Sequence, residues 1–206
     1  MPKLYTMPGT CALAPNIAVA WLGAPIEIAN MAYGDHKKDA YLAINPRAQV
    51  PALVFDDGDV LTEAAAILAH IGAAYGKESY ARDERLGRKE ALSYMTSEVH
   101  GAYGPHFAAA RYADGEAAQA EVKRKSYDRL HEHFVRLEKT LNDAGGEWYL
   151  GRRSFADAYL YVLTRWIKQT PLSIDDYPAL KGHRARMEAD EKVGVALKRQ
   201  GMDPVG

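Results

Sequence analysis

Tyr5-Thr6-Met7-Pro8-Gly9-Thr10-Cys11-Ala12-Leu13-Ala14-Pro15 is the stretch on which the fold turns. Lys3 to Thr6 reads as a short strand, and Pro8-Gly9 ends it in a turn. Ala12 to Leu22 has the alanine-rich, apolar character of a buried helix, with Pro15 compatible because it falls in the first turn. Gly23-Ala24-Pro25 stops that helix, and Ile26 to Met31 reads as a second strand. A β-α-β opening of this kind normally sets its two strands parallel.

Working outward, Asp39 to Ala43 predicts a short irregular helix. Ala52 to Phe55 and Val60-Leu61 flank Asp56-Asp57-Gly58-Asp59, a turn signal between apolar pieces, so a hairpin is expected there. Glu63 to Ala74 predicts a helix ending near Gly76. The order over residues 1–76 is therefore βαβ-ββα, followed by a polar linker over 77–83 and a region 84–206 without strand signals. In that region Glu84 to Ala113 reads as helix interrupted at Gly101 and Gly104-Pro105. Glu116 to Asp143 reads as one long helix, because Leu130, Phe134, Leu137 and Leu141 recur on one face. Ser154-Phe155-Ala156-Asp157 has the pattern of a capping box. The helix it opens should bury Ala156, Leu160, Leu163 and Ile167, and a further helix should follow Tyr177-Pro178.

Composition narrows the function classes. The 206 residues carry a net charge of -1, which gives no electrostatic reason to expect nucleic acid or an anionic membrane as partner. No signal peptide is visible behind Met1-Pro2-Lys3, and no run of apolar residues is long enough for a membrane span. One cysteine allows no internal disulfide, fits a cytoplasmic setting and leaves Cys11 available for chemistry. A single cysteine also excludes zinc-finger spacing, and His131-Glu132-His133 is no metal pair, because residues two apart on a helix face different ways. No metal is expected.

Cys11 sits where a strand hands over to a helix. Backbone N–H groups and the helix dipole there favour an anion, either the cysteine's own thiolate or that of a bound thiol. Shifting a thiol pKa by about 2 units needs roughly 2.7 kcal/mol. A helix terminus worth about 1–2 kcal/mol and one hydrogen bond worth about 1 kcal/mol are sufficient. The plainer alternative is a small buried hydrophobe.

Two further segments follow the cysteine loop in order: Ile44-Asn45-Pro46-Arg47-Ala48-Gln49-Val50-Pro51-Ala52-Leu53 and Asp57-Gly58-Asp59-Val60-Leu61-Thr62-Glu63-Ala64. Their order and spacing resemble a cytosolic glutathione transferase across essentially the whole chain. The Cys11 loop together with Ser97-Glu98-Val99-His100 narrows the resemblance to the bacterial beta class. The resemblance implies an α+β two-domain fold, with a thioredoxin-like glutathione-binding domain and an all-helical domain that contributes the hydrophobic co-substrate pocket.

It also implies roles residue by residue. Cys11 contacts the glutathione sulfur or forms a mixed disulfide with it. Thr10 either donates its hydroxyl to the sulfur or caps the helix, and Tyr5 is structural. A cis Val50-Pro51 bond presents the backbone of Val50 to the cysteinyl part of glutathione. Glu63 takes the γ-glutamyl ammonium, and the N–H of Ala64 takes its carboxylate. Relatives commonly have serine or glycine at that position, so Ala64 supplies no hydroxyl. One of His36, Lys37 and Lys38 meets the glycyl carboxylate, with Lys37 the candidate; a solvated charge run is the plainer alternative.

His100 points into the site in such relatives. It is followed here by Gly101 where they often carry lysine, and His106 is a weaker substitute. Tyr103, Phe107, Tyr112 and Trp166 are the candidates for the co-substrate pocket, although aromatics at helical spacing also serve as core. The expected activity is attack of the glutathione thiolate on hydrophobic electrophiles by a homodimeric cytoplasmic enzyme. Thiol–disulfide exchange through Cys11 is the alternative chemistry. A non-catalytic interaction module and a specialised lyase, dehalogenase or isomerase remain as other readings.

Overall fold

The computed structural model describes residues 1–76 and 82–206. Most of the expected linker, residues 77–81, lies outside the described residues. Of the described residues, 1–76 with 186–206 form one compact unit and 82–185 the other.

In the first unit, β1 (Lys3–Thr6) is followed by α1 (Leu13–Leu22), β2 (Glu27–Asn30) and α2 (Asp39–Leu42), then β3 (Ala52–Val54), β4 (Val60–Thr62) and α3 (Ala64–Tyr75). The sheet order is β2-β1-β3-β4, with β1 parallel to β2 and antiparallel to β3, and β3 antiparallel to β4. This is the expected mixed sheet. Leu4 stands in register with Ile28 on one side and Leu53 on the other, and Leu53 with Leu61. Leu4 and Leu53 are buried, as are Ile17 of α1 and Ile67, Leu68 and Ile71 of α3. Burying each such side chain contributes about 1.5–3 kcal/mol, so this layer holds the strand ends that carry the loops. Gly23 terminates α1 in the left-handed region at φ 61°, its N–H returning to the carbonyls of Ala20 and Val19. The hairpin turns through Gly58 at φ 94°.

Residues 186–206 were expected in the helical domain but group with the first unit. The reason is α10 (Glu191–Arg199), whose apolar residues Val193, Ala196 and Leu197 are buried while the helix lies along α1. Asn16 of α1 donates its side-chain amide to the Ala196 carbonyl at 3.0 Å. Beyond α10, Met202 sulfur accepts from the Gly9 N–H at 3.2 Å.

The second unit is helical. It contains α4 (Arg82–Tyr94), α5 (His100–Ala102), α6 (Gly104–Ala108), α7 (Glu116–Asp143), α8 (Phe155–Trp166) and the start of α9 (Pro178–Ala189). The stripe Leu130, Phe134, Leu137 and Leu141 of α7 is buried as its periodicity predicted. Ser154 and Asp157 form the capping box of α8, which buries Ala156, Leu160 and Leu163, with Ile167 just beyond its end. Glu138 of α7 accepts from the N–H groups of Ala179 and Leu180 at 2.8 Å each, closing the otherwise open start of α9.

The expected helix over 84–113 is broken as well at a place the sequence did not mark. Met95–Val99 widens into a π-helical turn between α4 and α5. Thr96 and Ser97 donate their hydroxyls to the carbonyls of Leu92 and Ser93, four residues back, at 2.8 and 2.7 Å. Such back-bonding loosens a helix, and π turns of this kind are frequent at functional sites.

Candidate active site

Cys11 is half-buried in the turn that leads into α1. Its thiol lies 3.6 Å from the Val50 carbonyl oxygen and donates to it weakly. Two segments far apart in sequence thus meet at one sulfur. The Thr10 hydroxyl donates to the Met7 carbonyl at 2.7 Å and accepts from the Ala12 N–H at 3.3 Å. In this conformation Thr10 braces the turn, and its proton is directed at Met7. The N–H groups of Leu13 and Ala14 bond to the carbonyls of Thr10 and Cys11 at 3.2 and 3.1 Å. Unpaired N–H groups are the expectation from sequence here. With these taken, the aligned dipole of α1 is what favours negative charge at the sulfur. Tyr5 packs its ring against Tyr41, with centroids 5.6 Å apart.

The Val50 loop is held from below by two side chains. Buried Asn45 donates to the Gln49 carbonyl at 2.8 Å and accepts from the Arg47 N–H at 3.1 Å. The Tyr41 hydroxyl donates to the same Gln49 carbonyl at 2.6 Å. Between them Ala48 adopts φ 53°, and the Val50-Pro51 bond is cis.

Glu63 stands at the head of α3 with φ 68°, a backbone conformation that non-glycine residues seldom adopt. The N–H of Ala64, first residue of α3, has no partner among the described residues. The Glu63 carboxylate is exposed and meets Arg47 at 3.2 Å. In the basic run after β2, Lys38 is paired with Asp35 at 2.6 Å, while Lys37 is exposed and carries no ion pair among the described residues.

In the second unit, His100 opens α5 directly after the π turn. Its Nδ1 lies 2.7 Å from the hydroxyl of buried Tyr159, and its ring meets Trp166 edge-on with centroids 4.8 Å apart. Nε2 has no hydrogen-bond partner among the described residues. Burial pushes the imidazole pKa below its ordinary value, so the ring is neutral near neutral pH. Tyr103 and Phe107 gather in turn around Trp166, each meeting it edge-on at 5.3 Å.

Within this cluster the residues differ in access. Tyr103 is fully buried, and its hydroxyl donates to the Leu163 carbonyl at 2.9 Å, so it backs the cluster from within the core. Trp166 is nearly enclosed, whereas Phe107 is 47% exposed. Tyr112 is 55% exposed and shares no ring contact with the others. Its hydroxyl occupies the space where a Cβ on Gly104 would fall, at 2.1 Å, which explains glycine at that position. His106 bonds Tyr127 at 3.0 Å, and His131 and His133 bond Tyr177 and Tyr94 at 2.7 and 2.8 Å. No group of three potential metal ligands occurs among the described residues, and none of their helices is long and apolar enough to cross a membrane.

Residues 4–79 match the glutathione S-transferase N-terminal domain family and residues 104–198 the C-terminal domain family. A curated relative, glutathione S-transferase GST-4.5 of Xanthomonas campestris, is 30% identical over 98% of this chain and 100% of its own. The chain belongs to the glutathione S-transferase family. A bacterial beta-class glutathione S-transferase from Sphingomonas chungbukensis superposes with TM-score 0.83 at 30% identity, covering 97% of this transferase and 99% of that chain. A sphingomonad glutathione S-transferase solved in complex with glutathione superposes with TM-score 0.82 at 31% identity, covering 97% and 98%.

Three residues of this transferase that contact candidate site groups were not singled out in the sequence. Tyr159 is one of several aromatics on a buried helix, and only the fold shows that its hydroxyl faces His100. Arg47 and Asn45 lay inside a quoted motif, where Asn-Pro before a turn was a usable signal for Asn45. Nothing local connects Arg47 to Glu63, 16 positions later.

Proposed function

We propose that this family member binds glutathione on its first unit, stabilises the thiolate and transfers it to hydrophobic electrophiles. The observation that carries the reading is the approach of the Cys11 thiol to the Val50 carbonyl at the head of α1. A cysteinyl ligand lying along Val50 brings its own sulfur to the same place. Glu63 takes the γ-glutamyl ammonium, Ala64 N–H and Lys37 take the two carboxylates, and Thr10 holds the turn. On the helical unit, neutral His100 offers Nε2 to polar parts of a co-substrate, while Phe107 offers an apolar face backed by Trp166. No metal enters this scheme. The protein acts in the cytoplasm as a homodimer, in detoxification of reactive compounds.

Cys11 supports a second chemistry on the same site. The Cys11 thiolate attacks the glutathione-side sulfur of a mixed disulfide, forming the Cys11–glutathione disulfide and releasing the other thiolate. A second glutathione thiolate then attacks that sulfur, releasing oxidised glutathione and restoring Cys11. Calorimetric titration of the reduced protein with glutathione tests both readings. Binding at micromolar to low millimolar concentration is expected. A folded protein that gives no heat is instead an interaction module on this scaffold.

A further inference from the structure

We infer that Arg47 recognises the α-carboxylate of the γ-glutamyl end of glutathione, so that Arg47 and Glu63 together read the zwitterion at that end. The inference rests on the glutathione reading above. A carboxylate alone at Glu63 selects a cation and leaves the neighbouring negative charge of an amino-acid head group to one backbone N–H. Ala64 adds no hydroxyl to that N–H.

The structure places a second donor beside it. Arg47 Nη1 lies 3.2 Å from Glu63 Oε1, and Nη2 donates to the Thr62 hydroxyl at 2.5 Å. A guanidinium has five N–H donors in a planar fork. Those not turned to Glu63 and Thr62 remain for an incoming carboxylate, while Glu63 Oε2 remains for the ammonium. A zwitterion laid antiparallel on this pair alternates four charges, each next to its opposite.

The supports of the pair are firm although its charged ends are open to solvent, at 57% and 67% exposure. Arg47 is anchored through its backbone N–H to buried Asn45, and Glu63 is fixed at the entry to α3 by the bond from the Ile67 N–H to its carbonyl at 3.0 Å. Exposed ion pairs add little to stability. Exchange of Arg47 should therefore leave folding intact.

The test compares two ligands: glutathione, and 4-aminobutyryl-cysteinyl-glycine, which keeps the ammonium and lacks only the α-carboxylate. Calorimetric titration of the wild-type protein should show glutathione binding at least about tenfold tighter than the analogue. Arg47→Gln should lose about tenfold or more in glutathione affinity and leave analogue affinity unchanged. Arg47→Lys should fall between, because an ammonium keeps the charge without the fork. Equal weakening of both ligands in Arg47→Gln would mean that Arg47 only steadies Glu63, and the inference fails. No binding of glutathione by the wild-type protein removes the glutathione reading itself and this inference with it. Thermal melting of each variant confirms that the folded protein is being titrated.

Discussion

His100 Nδ1 and the Tyr159 hydroxyl lie 2.7 Å apart, joining the first residue after the π turn to the interior of α8. The hydroxyl fixes the ring through Nδ1 and leaves Nε2 as the nitrogen open to a ligand. Burial depresses the His100 pKa from 6.5 in the folded protein, while the unfolded chain keeps the ordinary value. Protonation therefore favours the unfolded state. The stability from this neutral ring is complete above about pH 6.5 and is lost as pH falls into the window below it. Melting temperature should drop less steeply with acidification in His100→Gln than in wild type. His106 and His133 are also depressed by burial, so the difference between the two proteins, rather than either curve, isolates His100. An NMR titration placing His100 at or above 6.5 contradicts the burial argument.

Cys11→Ala separates the two chemistries. It removes the only thiol and leaves the α1 dipole, Glu63 and Ala64 in place. Turnover of a mixed disulfide should disappear, whereas conjugation of glutathione to an aromatic chloride should fall only about tenfold, the effect of one lost hydrogen bond to a charged sulfur. Survival of both activities at wild-type rates would take Cys11 out of the mechanism.

Asp157 is the polar centre of the second unit. Its carboxylate accepts from the N–H groups of Tyr149 and Ser154 at 2.8 and 2.7 Å, from the Ser154 hydroxyl at 3.0 Å, and contacts His183 Nε2 at 3.1 Å. Asp157 and His183 are both fully buried. A surface cap is worth about 1 kcal/mol, but removing this carboxylate orphans several buried donors at once. Asp157→Ala should lose about 3–5 kcal/mol in urea unfolding. A loss near 1 kcal/mol would reduce its role to an ordinary cap.

What was legible in the sequence was what depends on near neighbours. The stripe on α7, the Ser154–Asp157 cap and the Asp57-Gly58 hairpin each follow from spacing within a few residues, and all three are present. The Cys11, Val50 and Glu63 segments were legible as ordered motifs. The π turn, the Tyr159 contact to His100 and the Arg47–Glu63 pair were not, because each depends on groups that only tertiary packing brings together. The placement of α10 failed for the same kind of reason. Its apolar face signals burial without naming the partner helix, so residues 186–206 were expected with the rest of 84–206.

That placement predicts where damage will spread. Leu197 is buried in the α10 face that runs along α1, next to the Asn16–Ala196 bond, and the chain continues to Met202 on Gly9 of the cysteine loop. Leu197→Ala should destabilise by about 2–5 kcal/mol through the cavity it leaves. Because the neighbours of that cavity belong to the first unit, amide exchange should accelerate in α1 and the Gly9–Cys11 turn. Protection in α7 and α8 should stay as in the wild type. Glutathione affinity should weaken without any direct contact to the ligand, since the turn that carries Cys11 loses its backing. Faster exchange in α7 and α8 with α1 unchanged would instead place α10 with the helical unit.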